Sequence, residues 1–266
     1  MIVYVVNLDR AKQRMARMQA LLEARDLVWQ RIPAIDGRAL ADETLDDWSV
    51  RHGDGERLLS PGEIGCLLSH REAWRLIVDS NEPGVVIEDD LHLSADAHQL
   101  MSAAAWLPAD ADIVKIETTG KTVAVDRQSI AAGAGHYLAR LRGAHLGTGG
   151  YIVTPGAARR LLMTITRCDR AIDHLMFDPQ SPIFHSFVTY QLNPALCIQD
   201  QFLTRDRAGL DGEIERSWAI HKAPMGLHRK LARELRRLGQ QIRAAVAGLP
   251  FGSIRNCRIP FPADRT

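Results

Sequence analysis

The chain has 266 residues, 46% apolar and 24% charged, a balance that excludes a disordered or fibrous chain and suits one α/β domain with an appendage. Lys and Arg number 33 against 32 Asp and Glu, so overall charge gives no argument for nucleic acid or for an acidic partner. The four cysteines, Cys66, Cys168, Cys197 and Cys257, form neither a Cys-x-x-Cys pair nor a dense disulfide pattern, which fits a reducing cytoplasm, and no window approaches the ~20 apolar residues of a membrane span.

The run from Ile2 to Leu8 reads as a first strand, because it turns charged too soon for a secretory leader. Met15, Met18, Leu21 and Leu22 then recur at helical spacing between Arg10 and Arg25, and a second strand spans Val28 to Ile32. Asp36-Gly37 signals a turn. Ser60-Pro61-Gly62-Glu63 is a capping box with proline at the first helical position, which predicts a helix running to about Asp79. Pro83-Gly84 turns the chain into Val85-Val86-Ile87, a buried strand that stops at Glu88-Asp89-Asp90. Ile113 to Glu117 alternates apolar and charged residues and reads as a strand, as does Tyr151-Ile152-Val153 after Gly147-Thr148-Gly149-Gly150. Thr154-Pro155 caps the following helix. This alternation predicts a mainly parallel sheet flanked by helices, with ligands gathering at the carboxyl ends of its strands.

Beyond about residue 205 the pattern changes. Lys222 to Arg243 holds seven Lys or Arg against the single acid Glu234, with Leu227, Leu231, Leu235, Leu238 and Ile242 in one stripe. That is a basic amphipathic helix, suited either to an anionic membrane surface or to packing on the domain with a solvated outer face. The expected division is a domain over 1–205 and a basic extension over 206–266.

Three adjacent acids often mark only a solvated loop end, but these follow a buried strand, at the rim of the core, where charge needs a partner. Carboxylates are hard ligands suited to Mg²⁺ or Mn²⁺. If extended geometry persists, Glu88 and Asp90 face one side and Asp89 the other, where it braces the loop.

Val3-Tyr4-Val5-Val6-Asn7-Leu8-Asp9-Arg10, Pro33-Ala34-Ile35-Asp36-Gly37, Gly65-Cys66-Leu67-Leu68-Ser69-His70 and Val86-Ile87-Glu88-Asp89-Asp90 together resemble glycosyltransferase family 25. His145 to Val153, Ile172 to Phe177 and Gln191 to Cys197 extend the likeness, in the family's order, toward its lipooligosaccharide galactosyltransferases. The resemblance implies a Rossmann-like fold of GT-A type, a UDP-sugar donor (commonly UDP-galactose), a surface-glycan or glycolipid acceptor and inversion at the anomeric carbon. It places such an enzyme in the bacterial cytoplasm, where the basic extension would hold it on the inner face of the inner membrane.

Within that resemblance, Glu88 and Asp90 occupy the outer positions of an Asp-x-Asp-like motif that holds Mn²⁺ or Mg²⁺. Asp173 aligns with the family's acid and is the expected general base, against the alternative of a helix cap. Asn7, Arg10 and Arg14 follow the first strand, where an amide and guanidinium groups meet a nucleotide or its phosphates, and Asp89 is grouped with them. Asp36 and Gly37 either approach the uridine or make a purely geometric turn. His70 either contacts the donor or is a structural histidine. Lys115 and Glu117 line the cleft or form an internal ion pair. His145, Gly149 and Gly150 are candidates for sugar or acceptor contact, the glycines permitting close backbone approach. Two other readings stand beside this one: an inactive relative that binds a glycan or protein, and a dinucleotide-dependent oxidoreductase. The second lacks Gly-x-Gly-x-x-Gly after the first strand.

Overall fold

A computed structural model of the chain describes residues 1–203 and 252–262. The basic helix expected over 222–243 lies outside the described residues. The first third of the chain forms β1 (Val3–Asn7), α1 (Lys12–Glu23), β2 (Trp29–Pro33), a 3-10 turn (Gly37–Ala39), α2 (Asp42–Trp48), α3 (Pro61–Ser80) and β3 (Gly84–Glu88). There follow β4 (Leu91–Leu93), α4 (Ala97–Met101), β5 (Ile113–Lys115), β6 (Glu117–Thr118), β7 (Thr122–Asp126), β8 (Ile130–Gly133), β9 (His136–Arg140) and β10 (Gly150–Val153). The remainder supplies α5 (Pro155–Thr164), α6 (Ile172–Phe177), α7 (Pro182–His185), β11 (Thr189–Asn193), β12 (Cys197–Gln199), α8 (Asp200–Leu203) and β13 (Ile254–Arg258).

The main sheet has eight strands in the order β2-β1-β3-β10-β5-β11-β9-β8. The pairings give β2, β1, β3, β5, β11 and β8 one direction and reverse only β10 and β9, so the sheet is mostly parallel in strand direction. Its first strands are apolar without alternation because both faces are covered. Tyr4, Val6, Val86, Tyr151 and Val153 pack in one core with residues of α3, α5 and α6. Val3, Val5, Val85, Ile87 and Ile152 pack in a second core with Met18 and Leu22 of α1 and Leu100 and Met101 of α4.

The strand expected from Ile113 to Glu117 is divided. At Ile116 the backbone changes partners, its N–H going to Gly150 and its carbonyl accepting from Leu196 and Cys197. The next two residues enter a second sheet, ordered β4-β12-β6. Likewise, β13 returns from the end of the chain to pair antiparallel with β7, and Thr118 Oγ1 donates to the Ile259 carbonyl at 2.8 Å. Residues on either side of the boundary expected at 205 thus share one two-stranded sheet.

Helix α3 forms one wall of the later site, and its start is as the capping box predicts. The Ser60 hydroxyl accepts from the Glu63 N–H, and the Glu63 carboxylate accepts from the Ser60 N–H at 2.8 Å. The 35–37 loop presses directly on this first turn. A Cβ at Gly65 would lie 2.4 Å from the Ile35 carbonyl oxygen, and one at Gly37 would lie 1.6 Å from that of Pro61. Both obstacles are backbone, so neither can step aside as a side chain would. Gly65→Ala is expected to destabilise the fold by about 1–3 kcal/mol through overpacking. The measurement is the urea midpoint, and an unchanged midpoint would refute this account of the contact.

Candidate functional site

A cavity of about 390 Å³ opens at the carboxyl ends of β1, β2 and β3, where open α/β sheets place their ligands. The 34–38 loop and the first turns of α3 form one side, and the strand-end acids, Gly147, Thr148 and the start of α6 form the other. Arg10, Arg14, Asp36, Gly37, His70, Glu88, Asp89, Asp90 and Asp173 all line it. Residues far apart in the sequence thus share one cavity.

Glu88 and Asp90 turn to the same side, as strand alternation predicts. Gln199 Nε2 lies 3.2 Å from Glu88 Oε2 and 3.3 Å from Asp90 Oδ2, so the two carboxylates converge on one point. Asp89 turns away, accepting from Asn7 Nδ2 at 2.5 Å and lying 3.4 Å from Arg14 Nε. Burial works against the charge on Glu88, but contacts from His70 and Thr148 and the field of Lys115 outweigh it and hold this carboxyl below its ordinary value. Asp90 has the opposite balance. Burial, then the charges of Glu88 and Asp89, push it up to about 7, against the Gln199 hydrogen bond and the Arg14 charge.

Such a pair fits a hard divalent cation. Two carboxylates supply oxygen donors for Mg²⁺ or Mn²⁺, and a cation between them would relieve the mutual repulsion that raises Asp90. Exchanging the assigned positions of the Gln199 amide oxygen and nitrogen would present an acceptor at the point where Nε2 now stands.

The loop before β10 connects this acidic centre to the far side. The Thr148 hydroxyl donates to Glu88 Oε1 at 2.8 Å, and the Gly147 N–H donates to Asp173 Oδ2 at 3.2 Å. Asp173 Oδ1 also accepts from the His174 N–H at 2.8 Å. The N-cap position of α6 belongs to Ala171, so Asp173 sits inside the first helical turn, on the cavity wall, rather than capping the helix.

The other candidates stand behind the wall. Asn7 is buried under the acids, donating to Asp89 and to the Ala11 carbonyl while Arg31 donates to its oxygen. Lys115 and Glu117 form a fully buried ion pair at 2.6 Å, with the ammonium 4.0 Å from the centre of the Phe177 ring. They do not line the cleft, because the strand turns into the interior at that point. Lys115 also donates to the Gly147 carbonyl and so pins the 147–148 loop from beneath. Burial pushes the Glu117 carboxyl up, and Lys115 works against that.

His145 is buried and hydrogen-bonded to Gln191 Oε1 at 2.6 Å. Burial, reinforced by the charge of Lys115, lowers it to about 3, so the ring is neutral. Gly149 and Gly150 make room for buried neighbours rather than for a ligand. A Cβ on the first would lie 2.6 Å from Glu117 Oε2, and one on the second 2.3 Å from Cys197 Sγ. None of Asn7, Lys115, Glu117, His145, Gly149 or Gly150 borders the cavity.

Sequence reasoning passed over Thr148, Gln199 and Cys66 as site residues. Thr148 stood within the glycine-rich segment, where attention to the backbone hid its hydroxyl. Gln199 carried no signal, since it reaches the acids only through the pairing of β12 with β4.

The raised Asp90 has a stability consequence. Its folded value, about 7, lies above the ordinary 3.8, so the folded state holds this proton more tightly than the unfolded state. Ionising Asp90 therefore costs nothing below about pH 4, a growing amount between pH 4 and 7, and the full amount above. In metal-free buffer Asp90→Asn is expected to stabilise the chain by about 4 kcal/mol at pH 8 and by little at about pH 3. Thermal midpoints across that range check it, and a pH-independent difference would contradict it.

Comparison with known proteins bears on what this cavity serves. Residues 1–176 match the model of glycosyltransferase family 25, described as an LPS biosynthesis protein. The lipooligosaccharide biosynthesis protein lex-1 of Haemophilus influenzae is 31% identical over 180 residues, which are 63% of this chain and 59% of that protein. The lacto-N-neotetraose biosynthesis glycosyltransferase LgtE of Neisseria meningitidis is 28% identical over 259 residues, 90% of each chain. Procollagen galactosyltransferase 2 of Mus musculus is 32% identical over 122 residues, 43% of this chain and 19% of that one. The matched residues reach from β1 into α6, from the first strand through the acids to Asp173, and by this match the chain belongs to glycosyltransferase family 25.

Proposed function

We propose that this chain is a metal-dependent, inverting hexosyltransferase of GT-A type that moves galactose, or a related hexose, from a UDP-sugar to a lipooligosaccharide or other surface-glycan acceptor. The observation that carries the reading is that two adjacent residues, Gly147 and Thr148, hold Asp173 and Glu88 in one cavity. A transfer with inversion needs an acid-stabilised leaving group and, separately, a carboxylate that takes the acceptor's proton. The names of lex-1 and LgtE support the acceptor class, and that of the procollagen enzyme supports galactose.

In this reading Glu88 and Asp90 hold Mn²⁺ or Mg²⁺. When bound there, such an ion would supply positive charge against the diphosphate of the departing UDP. Arg10 and Arg14 supply further positive charge along the cavity wall, and Arg10 is itself oriented by its ion pair with Asp36. Asp173 takes the proton from the acceptor hydroxyl as that oxygen attacks the anomeric carbon. Its two backbone N–H donors fix the direction in which the carboxylate points, leaving its outer lone pairs to the substrate. Among the described residues no helix is long and apolar enough to cross a membrane. The basic stretch from Lys222 to Arg243 is proposed to hold the enzyme on an anionic membrane from the cytoplasmic side.

The test is UDP release from a panel of UDP-sugars with Mn²⁺ and lipooligosaccharide-core acceptors. Asp173→Asn is expected to lower kcat by about 10²–10⁴-fold with little change in donor KM. Asp90→Asn is expected to raise the Mn²⁺ concentration needed for half-maximal rate, and chelator to abolish turnover. Full activity in both variants would overturn the assignments. Calorimetry showing no UDP binding, with or without Mn²⁺, would instead make the chain an inactive member of its family.

A further inference from the structure

The two oxygens of Glu88 serve different neighbourhoods. Oε2 looks toward the Gln199 amide and the Asp90 carboxylate, with no sulfur or imidazole beside it. Oε1 looks toward α3, where Cys66 and His70 stand four residues apart and so share one helical face. One ligand atom from each of Cys66, His70 and Glu88 lies within 4.8 Å of the others.

His70 gives this group its direction. The ring is fully buried, and its Nδ1 is 2.9 Å from Tyr151 Oη, which Trp74 Nε1 also approaches at 2.9 Å. The ring is therefore held in one orientation by a hydrogen-bonded second layer, as metal-bound histidines usually are. Its other nitrogen, Nε2, has no hydrogen-bond partner and faces Glu88 Oε1 at 3.5 Å. A thiol, an imidazole and a carboxylate form a donor set that prefers zinc-class ions, unlike the oxygen-only pair beside it.

We propose that Cys66, His70 and Glu88 form a second cation site, selective for Zn²⁺ and similar borderline-soft ions, which shares Glu88 with the hard-cation pair. Tetrahedral zinc sets its ligand atoms roughly 3.4–3.7 Å apart, so the group needs to contract by about 1 Å. On binding, the Cys66 thiol releases its proton to solvent and binds as thiolate. His70 binds through the Nε2 lone pair and carries its proton on Nδ1, toward Tyr151, while Glu88 binds through Oε1. No electron changes hands. Three protein ligands leave the fourth position open toward the cavity that Cys66 and His70 border. An ion there draws on the carboxylate that the transfer reaction needs, so zinc-class ions act at this site as regulators of turnover.

Binding is read without turnover, and its outcome is separate from the transferase reading. Metal-free protein is titrated with Co²⁺, which reports a thiolate ligand by near-ultraviolet charge-transfer absorption. One equivalent is expected to saturate the signal, and one equivalent of Zn²⁺ to erase it. The absorption is expected to vanish in Cys66→Ser and to persist in Cys257→Ser. Tyr151→Phe is expected to weaken Co²⁺ binding by about 10-fold while retaining the signal, because it removes only the second layer. Circular dichroism confirms that each variant is folded. Absence of thiolate absorption in the wild-type protein, or its survival in folded Cys66→Ser, would overturn the proposal.

Discussion

The arrangement depends on the burial of β3 on both of its faces. Val85, Val86 and Ile87 have no accessible surface, so charge can enter the chain only where the strand leaves the sheet. There the three carboxylates meet neighbours from every adjoining element: Asn7 and Arg14 on Asp89, Thr148 and His70 on Glu88, Gln199 on Asp90. These contacts do not fully satisfy the cluster. Asp90 keeps its raised affinity for a proton because its carboxyl is largely buried and Glu88 and Asp89 are charged beside it. In the proposed reading, a cation at this point would relieve that repulsion.

A second buried charge pair holds the far side in place. Lys115 and Glu117 have left solvent entirely; Glu117 Oε1 is paired with the ammonium, while Glu117 Oε2 has no hydrogen-bond partner. Lys115 also donates to the Gly147 carbonyl, and the same peptide segment presents Gly147 N–H to Asp173 and Thr148 to Glu88. The ion pair thus stands under the loop that sets the distance between the two acidic centres. Removing one member would strand a buried charge and release the loop together, so stability and site geometry are coupled at this point.

Much of this was legible from local pattern. The capping box at Ser60, the helical spacing of Met18 and Leu22, and the apolar runs of β1 and β3 each have one physical solution, and each was adopted. Lys115 and Glu117 show the limit. Their alternation with Val114 and Ile116 correctly suggests extended backbone, but whether their side of the strand is wet depends on Phe177 and the 147–150 loop, which arrive from elsewhere. The same applies to Asn7, whose position after β1 suits a ligand contact until Asp89, distant in sequence, takes its amide.

By itself the sequence determined the elements of the first half, the strand-end position of the acids and the family to which the chain belongs. These follow from short-range chemistry: burial period, cap, turn and adjacent charge. Only the tertiary structure decided which charged groups face the cavity and which are consumed inside. It brought Asp173 beside the Glu88 centre, turned Asp89 to Asn7 and Arg14, and aimed the Nε2 of His70, which makes no hydrogen bond, at Cys66 and Glu88. A side chain's partner is set by whatever fills the volume next to it, and in this fold that neighbour comes from another strand, helix or loop.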